Sequence, residues 1–188
     1  SVVNGSLSVK FEADKYQGFA PLLVNFDNQS TTTLDNTGIT SVKSIWNFGN
    51  GTVNSYTNAV DASTTYSLPG TYTVTLYANK GTCVESYQKV IVVDVPSKVE
   101  VPNIFTPNGD GINDFYFLNA ASMGSITFTI HDRWGHLVYE LTSATGNVLW
   151  DGLNQAGVEC PDGTYFYILK ATGRDGVTYD KSGTIQLV

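Results

Sequence analysis

The stretch TYTVTLYA, residues 71–78, decides the fold class of this chain. Tyr72, Val74 and Leu76 occupy alternate positions along it, and threonines occupy most of the positions between them. A period of two residues is typical of a β-strand with one side buried and the other facing solvent. The sequence therefore predicts a strand over residues 71–78.

Short apolar runs of the same kind flank this stretch on both sides, and Gly, Asn, Asp and Ser separate them. No segment sustains apolar residues at helical spacing. The predicted strands cover residues 7–11, 22–26, 44–48, 71–78 and 87–95 in the first half, and residues 115–118, 125–131, 137–141, 164–171 and 177–187 in the second. Val90 and Val92 are expected to repeat the alternation. The chain is therefore predicted to be all-β.

A seam between two domains is predicted at residues 94–102. Pro96 interrupts the apolar run there, and Pro102 has no backbone N–H to donate to a continuing strand. With 188 residues, of which 41% are hydrophobic, the chain can supply a core for each of two small domains. We predict one β-sandwich over residues 1–97 and a second over residues 98–188.

The composition argues against two classes of partner. The formal net charge is -7, from 10 basic and 17 acidic residues. Nucleic acids and anionic membrane surfaces both require a concentrated basic face, which this composition does not supply. No segment has the pattern of a signal peptide or a transmembrane helix. Because the chain begins at Ser1 without a methionine, we expect a fragment or a processed chain.

The two cysteines, Cys83 and Cys160, lie far apart in the sequence. Such spacing builds neither a metal cluster nor the paired framework of a small disulfide-rich protein. We expect two buried free thiols rather than a disulfide bridge.

The first half contains two motifs, WNFGNG at residues 46–51 and YSLPGTYTV at residues 66–74. Trp46 and Phe48 would point to the same face of a strand and fill the space between two sheets, while the glycines permit a tight turn. These motifs resemble the polycystic kidney disease (PKD) domain, an immunoglobulin-like (Ig-like) sandwich. The resemblance implies a spacer or binding module without catalytic residues. Asn47 and Asn50 occupy positions of the first motif where that family usually carries Asp.

The second half contains a longer series of motifs in a fixed order. They are PNIFTPNGDGINDF at residues 102–115, DRWG at 132–135, VYE at 138–140, WDG at 150–152, PDGTYFY at 161–167 and GTI at 183–185. Over residues 101–188 this series resembles the gliding motility-associated C-terminal family, the type B sorting domain of type IX secretion in Bacteroidota. A looser likeness to the Ig-like domain of flagellar hook-capping proteins also indicates a sandwich. Together these resemblances imply two tandem Ig-like β-sandwich domains.

Several residues of these motifs have structural interpretations. Gly135 is expected to turn a β-hairpin, and Gly152 and Gly163 are expected to bracket a loop. Trp134 and Trp150 are expected to pack at one end of the sandwich.

Arg133 carries a planar cation that pairs well with carboxylates. Asp132, Asp151 and Asp162 are its candidate partners, and the sequence does not distinguish among them. Such an ion pair would hold the loops of that end in register.

The loop NGDGIND, residues 108–114, offers oxygen ligands at alternating positions. The side chains of Asn108, Asp110 and Asp114 and the carbonyl of Ile112 are candidate ligands for calcium, which prefers a shell of oxygens. The run lacks the bidentate Glu and the full spacing of an EF-hand. Asn-Gly-Asp-Gly is equally suited to Asx turns that need no ion. Calcium is therefore the one candidate cofactor, and a loop of Asx turns without an ion is the alternative.

No arrangement of residues in the sequence points to catalysis. His131 and His136 flank a predicted turn without a Cys or further His at zinc-binding spacing. No Gly-x-Ser-x-Gly motif occurs, and no Ser or Cys stands in a recognisable arrangement with a His. Acid pairs such as Asp110 and Asp114 lack the long groove that a glycosidase site needs. We therefore predict that the chain is not an enzyme.

The sorting-domain resemblance implies a function for the whole chain. The second half would be the secretion signal and surface-attachment module of a large adhesin or gliding-motility protein, carried through the outer membrane to the cell surface. The partners so implied are an outer-membrane translocon, a shuttle protein and a PorP/SprF-type partner. Exposed residues of the motif loops are the candidates for recognition, namely Asn108, Asp110, Arg133 and Asp162.

The alternative is a carbohydrate- or protein-binding module in which both domains contact a ligand directly. Such a module is expected to show exposed aromatic residues in a row. Tyr56, Tyr66, Tyr77 and Tyr87 are available for this role. We expect them instead to lie in the core or on strand faces.

Overall fold

The computed structural model describes residues 6–32, 42–143 and 149–188. The chain divides into two compact units, Ser1–Val95 and Pro96–Val188. The described residues form strands and turns without a helix, which confirms the predicted all-β class. None of them belongs to a helix with the length and apolar character needed to span a membrane.

The first unit contains ten described strands. They are β1 (Leu7–Ser8), β2 (Phe11–Ala13), β3 (Gln17–Phe19), β4 (Leu22–Asn28), β5 (Thr31–Thr32), β6 (Lys43–Asn47), β7 (Val53–Tyr56), β8 (Ala62–Tyr66), β9 (Gly70–Lys80) and β10 (Cys83–Asp94). One sheet has the order β3-β10-β9-β6-β7 and another has the order β2-β4-β8, while β1 pairs with β5. The β3–β10 pairing is parallel.

The core of the first unit lies between the two larger sheets. The three-stranded sheet contributes Phe11, Val24 and Phe26, and the five-stranded sheet contributes Trp46 and Leu76. In β4 the buried and exposed residues alternate, as expected for a strand with one face on a core. Apolar faces of two sheets therefore meet in the predicted sandwich.

Three expectations about strands in this unit need correction. The predicted strand at residues 7–11 is two strands, because the Lys10 N–H donates to the Ser30 hydroxyl at 3.3 Å instead of continuing a ladder. Strands β3, β5, β7 and β8 were not predicted. In β10 the fully buried residues are Ile91 and Val93 rather than Val90 and Val92.

The second unit contains nine described strands. They are β11 (Lys98–Glu100), β12 (Ile104–Phe105), β13 (Tyr116–Phe117), β14 (Asn119–Ala121), β15 (Met123–His131), β16 (Leu137–Ser143), β17 (Leu149–Trp150), β18 (Gly163–Gly173) and β19 (Thr178–Leu187). A five-stranded sheet has the order β12-β19-β18-β15-β16, and two small sheets pair β11 with β14 and β13 with β17.

The core of the second unit joins the five-stranded sheet to the two small sheets. Phe128 and Leu169 come from the large sheet, Tyr116 and Trp150 from the β13–β17 pair, and Val99 from the β11–β14 pair. The long strands β15, β18 and β19 thus supply one wall, and short strands supply the other. This arrangement is a second β-sandwich.

Both cysteines are free, as predicted, but neither is fully buried. Cys83 and Cys160 are each half-buried. The expectation of buried thiols is therefore wrong on burial.

Candidate functional site

The motif loops of the second unit emerge at one end of its sandwich. Strand β15 runs into the turn at residues 132–136, which leads into β16, and β18 begins beside the end of β15. Strands β12 and β19 are parallel and end together, while Tyr116 at the start of β13 pairs with Trp150 at the end of β17. The loops at residues 106–115 and 151–162 therefore leave from the same end. We refer to these three loops as the loop end.

The first of these loops is closed by its own side chains. The carboxylate of Asp114 accepts the N–H groups of Gly109 at 2.6 Å and Gly111 at 2.8 Å. The Asp110 carboxylate accepts the Ile112 N–H at 2.8 Å and the side-chain amide of Asn108 at 3.2 Å. Both carboxylates thus bind the loop that carries them.

The other candidate calcium ligands of this loop also form hydrogen bonds within it. The Oδ1 atom of Asn108 accepts the Asp110 N–H at 3.1 Å, and the Ile112 carbonyl faces the Thr106 hydroxyl at 3.4 Å. The candidate oxygen atoms therefore already accept hydrogen bonds within the loop, and no group of three or more His, Cys, Asp or Glu side chains that could hold a metal occurs among the described residues. The geometry is that of the Asx turns that the sequence offered as the alternative.

The second loop is a turn held by Asp132. Its carboxylate accepts the N–H groups of Trp134 and His136, each at 2.8 Å, and contacts the His136 Nδ1 at 2.9 Å. Gly135 has a φ of 82°, and its N–H donates to the Asp132 carbonyl at 3.0 Å. Desolvation acts to raise the pKa of Asp132, but these hydrogen bonds outweigh it and hold the pKa below its ordinary value. Gly135 thus turns the hairpin as predicted.

The expected ion pair of Arg133 does not form. Its guanidinium makes no ion pair with any residue that the structure describes, whereas Asp132 pairs with His136 instead. The Arg133 Nη2 lies 3.5 Å from the position that a Cβ on Gly163 would occupy. Arg133 is therefore exposed beside the third loop with its donors free for another molecule.

The expectation that Trp134 and Trp150 both pack at the sandwich end is wrong for Trp134. Trp150 is fully buried, lies 5.0 Å from the Phe105 ring centroid and donates its Nε1–H to the Leu153 carbonyl at 2.8 Å. Trp134 is 77% exposed. Trp134 lies in the turn beyond His131, the last residue of β15, whereas Trp150 lies within β17 and belongs to the core.

The third loop is also ordered by short-range contacts. Asp151 accepts the Leu153 N–H at 3.0 Å, and Asn154 accepts two further N–H groups of the loop. Gly152 has a φ of 82° and packs against Pro107 of the first loop, so that a Cβ there would lie 3.2 Å from Pro107 Cγ. Gly163, with a φ of 149°, closes the loop where β18 begins. The two glycines bracket the loop as predicted.

Two clefts open between these loops. One, of about 310 Å³, is lined by residues that include Arg133, Trp134, Glu159 and Asp162. The other, of about 360 Å³, includes Asn108, and it shares Glu159 and Asp162 with the first. The structure thus places three predicted recognition residues, Asn108, Arg133 and Asp162, at the two clefts. Asp110 lies on the closed first loop and lines neither.

Sequence reasoning missed two residues that belong to this site. Glu159 and Cys160 line both clefts, and burial raises the pKa of the Cys160 thiol. The only indication in the sequence was their position between two glycine-containing motifs, WDG at residues 150–152 and PDG at residues 161–163. The loop end as a whole carries six carboxylates but only one arginine and one histidine, so its charge is negative.

The four tyrosines considered for ligand binding do not form an exposed row. Tyr66 lies at the end of β8 in the three-stranded sheet of the first unit. It is buried, and its hydroxyl donates to the Phe48 carbonyl at 3.0 Å. Tyr87 packs on Phe11 with ring centroids 5.5 Å apart, whereas Tyr77 points to the opposite face. Tyr56 is half-buried. The expectation of core and strand-face tyrosines is confirmed.

Solved structures with detectable similarity to this chain have low sequence identity to it. A structure of carbohydrate-binding modules from the β-sandwich superfamily shares 13% identity and covers 96% of this chain and 94% of its own, with a TM-score of 0.43. A titin fragment shares 13% identity, and the match covers 96% of this chain and 97% of the fragment, with a TM-score of 0.49. Latent PorU from Porphyromonas gingivalis shares 14% identity with a TM-score of 0.33, and the match covers 98% of this chain but only 20% of PorU. Among curated protein sequences, no relative matches.

Family models identify both units. Residues 22–93 match the PKD domain, and residues 99–187 match the CHU_C type IX secretion signal domain. Both domain types are non-catalytic, and a signal domain of this kind implies export through the outer membrane to the cell surface. The predicted order of the two domains is confirmed. The chain therefore carries a PKD domain followed by a type IX secretion signal domain of the CHU_C family.

Proposed function

We propose that the second unit is the export signal and surface-attachment module of a cell-surface protein of the adhesin or gliding-motility type. The PKD unit serves as a spacer in this protein, and neither unit is an enzyme. The observation that carries the proposal is the convergence of three motif loops on one end of the sandwich, where their polar side chains are exposed. A receptor can contact all three loops at once.

Recognition is assigned to Asn108, Asp110, Arg133 and Asp162. All four are exposed. Arg133 and Asp162 make no side-chain hydrogen bond or ion pair within the described part of the chain, so partner contacts need not displace internal ones. By resemblance, the receptors are an outer-membrane translocon, a shuttle protein and a PorP/SprF-type partner.

The remaining motif residues support this surface from beneath. Trp150 fills the core directly under the loops, and Asp151 and Gly163 shape the third loop. Trp46 and Phe48 play the corresponding core role in the spacer unit. Substitutions of these residues should affect export only by lowering the stability of the unit that contains them.

A secretion assay tests the proposal. The full chain, residues 1–188, is fused behind a fluorescent protein with an inner-membrane export signal. The fusion is expressed in a bacterium that has the type IX system and in an isogenic mutant that lacks it. We expect surface or medium fluorescence only in the first strain. Equal export by both strains would rule the proposal out.

Two matched variants locate the surface. One replaces Asn108, Asp110, Arg133 and Asp162 by alanine. The control replaces four exposed residues toward the other end of the sandwich by alanine, namely Lys170, Arg174, Thr178 and Asp180. We expect the first variant to lose about tenfold or more of export, as interface hot spots do, and the control to match the parent. Both must keep the parent melting temperature, and a loop variant that is exported normally contradicts the assignment.

A second candidate function is ligand binding by the PKD unit. An open groove of about 840 Å³ is lined by polar residues that include Asp14, Asn25, Asn54 and Asp61, together with Tyr56. Paired amide and carboxylate groups beside an aromatic ring suit the hydroxyl groups of a sugar. A glycan-binding screen with the full chain separates this candidate from a plain spacer. A hit that Tyr56→Ala abolishes would favour the binding module.

A further inference from the structure

The most exposed large aromatic side chain of the signal domain has no structural role that explains it. Trp134 is 77% exposed, whereas Trp150 in the same unit is fully buried. The turn is held by the Asp132 carboxylate through backbone N–H groups, so it does not depend on the indole. An indole held in water by an ordered turn suits contact with another molecule, because tryptophan is among the residues that dominate binding interfaces.

The turn also presents Trp134 in a fixed position. Asp132 accepts three hydrogen bonds across it, and Gly135 supplies the positive φ that it requires. A preordered aromatic anchor loses little conformational entropy when it binds. Trp134 is therefore presented ready for contact.

The cleft beside Trp134 has a definite electrostatic character. Glu159 and Asp162 line it, and their side chains make no hydrogen bond or ion pair with any described residue. Asp132 adds a third carboxylate, against the single cation of Arg133. An exposed indole together with unpaired carboxylates favours a cationic group, which can lie over the ring and pair with the acids.

We propose that Trp134 and this cleft dock a basic surface of a partner protein, with one partner arginine or lysine side chain entering the cleft. That cation lies against the Trp134 ring and pairs with Glu159 and Asp162. The six carboxylates of the loop end make this end of the domain negative and steer the same basic surface toward it. The inference rests on the proposed export function and adds the chemistry of the receptor.

The first arm of the test uses the export assay with the full chain. We expect Trp134→Ala and the double variant Glu159→Lys/Asp162→Lys each to lower surface display about tenfold or more, and Trp134→Phe to retain at least a third of it. Controls are Phe166→Ala, another exposed aromatic, and Asp180→Lys, a charge reversal toward the other end. Both controls should be exported like the parent, and all variants should keep its melting temperature.

The second arm identifies the occupant. A photoreactive phenylalanine analogue is placed at position 134 and, as a control, at position 166, and cells are irradiated during export. We expect position 134 alone to cross-link to a protein, at a segment that contains arginine or lysine and is net positive. A cross-link to a glycan, or to a net negative protein segment, would overturn the proposal.

The two arms separate failure of this inference from failure of the proposed function. If the parent chain is exported independently of the type IX system, the proposed function fails and the receptor chemistry fails with it. If the parent depends on that system but Trp134→Ala and the charge reversal are exported normally, the export function stands. The docking proposal alone is then overturned.

Discussion

The two units place a tryptophan close to a glycine turn, with opposite results. In the PKD unit Trp46 lies within β6, next to the last residue of that strand, and is fully buried between two sheets. In the signal domain Trp134 lies three residues beyond the end of β15 and is mostly exposed. The tryptophan beside the turn therefore belongs to the core in one unit and to the surface in the other. What separates the two cases is the position of the aromatic residue relative to the end of its strand.

The turns themselves are built alike, although one uses neutral amides and the other a carboxylate. In the PKD unit the Oδ1 of Asn47 accepts the Gly49 N–H at 3.0 Å, and the Oδ1 of Asn50 accepts the Thr52 N–H at 3.0 Å. In the signal domain the Oδ1 of Asp132 accepts the Trp134 N–H at 2.8 Å. Asparagine in place of the family's usual aspartate thus retains the turn and removes the charge.

The largest expected effect is the loss of a buried tryptophan. Trp46 touches the Phe11 and Phe26 rings, with centroids 5.0 Å and 5.6 Å away, and donates to the Val60 carbonyl at 3.2 Å. We expect Trp46→Ala to lower the free energy of unfolding of the PKD unit by about 3–5 kcal/mol. Trp134→Ala should change the signal domain by less than about 0.5 kcal/mol, because it creates no cavity.

Chemical denaturation followed by circular dichroism measures both changes without relying on tryptophan fluorescence. Trp150→Ala is the matched control, since it creates a core cavity in the unit that contains Trp134. It should behave like Trp46→Ala. A loss of several kcal/mol in Trp134→Ala would show that the exposed indole is structural and would break the comparison.

The second effect compares a glycine in each turn. Gly49 has a φ of 76°, and a Cβ there would lie 2.7 Å from the Thr73 carbonyl oxygen. Gly135 has a φ of 82°, with open space where its Cβ would be. Gly49→Ala should cost about 3 kcal/mol, since backbone strain and a backbone clash add, whereas Gly135→Ala should cost about 1 kcal/mol from strain alone. Equal losses in thermal unfolding would show that the close approach at Gly49 is unimportant.

Much of this fold follows from local patterns in the sequence. The alternation in residues 71–78 predicts β9, and Trp46, Phe48 and Trp150 are buried as their motifs indicate. Where apolar residues are consecutive, alternation does not indicate which of them face the core. Residues 90–93 are all apolar, and only pairing with β9, in which Tyr72 lies opposite Ile91, determines which two face the core.

The surface was harder to predict than the core. The sequence placed Asn108, Arg133 and Asp162 in motif loops, but it could not show that those loops meet, because this depends on strand order. It also offered Asp132, Asp151 and Asp162 as partners of Arg133, whereas Asp132 pairs with His136 in the structure and Arg133 pairs with no described residue. Exposed ionic contacts contribute little energy, so the sequence alone does not select one partner over another.

A smaller effect is expected at alkaline pH and should appear in both units. Burial raises the pKa of the Tyr66 phenol and of the Tyr116 phenol. Each donates its hydroxyl to a backbone carbonyl, Tyr116 to Pro102 at 2.6 Å. In the unfolded chain these tyrosines ionise near their ordinary pKa of 10.0, so their contribution to stability is complete below that pH and decreases above it.

Urea denaturation from about pH 8 to about pH 11 measures this decrease. Tyr66→Phe should be less stable than the parent at pH 8 by about 1 kcal/mol, because the Phe48 carbonyl loses its donor. Above pH 10 the PKD unit of this variant should lose stability less steeply than that of the parent. Tyr116→Phe should do the same for the signal domain. Parallel pH profiles in the variants and the parent would contradict the assignment to these phenols.

The smallest expected effect is that of calcium on the signal domain. The carboxylates of Asp110 and Asp114 already accept hydrogen bonds from the N–H groups of Ile112, Gly109 and Gly111, so the loop is held closed without a cation. We expect chelator or millimolar calcium to shift the melting temperature by less than about 1 °C, since a ligand stabilises only a state that it binds. A calcium-dependent rise that Asp114→Asn removes would show that the loop exchanges its Asx turns for an ion.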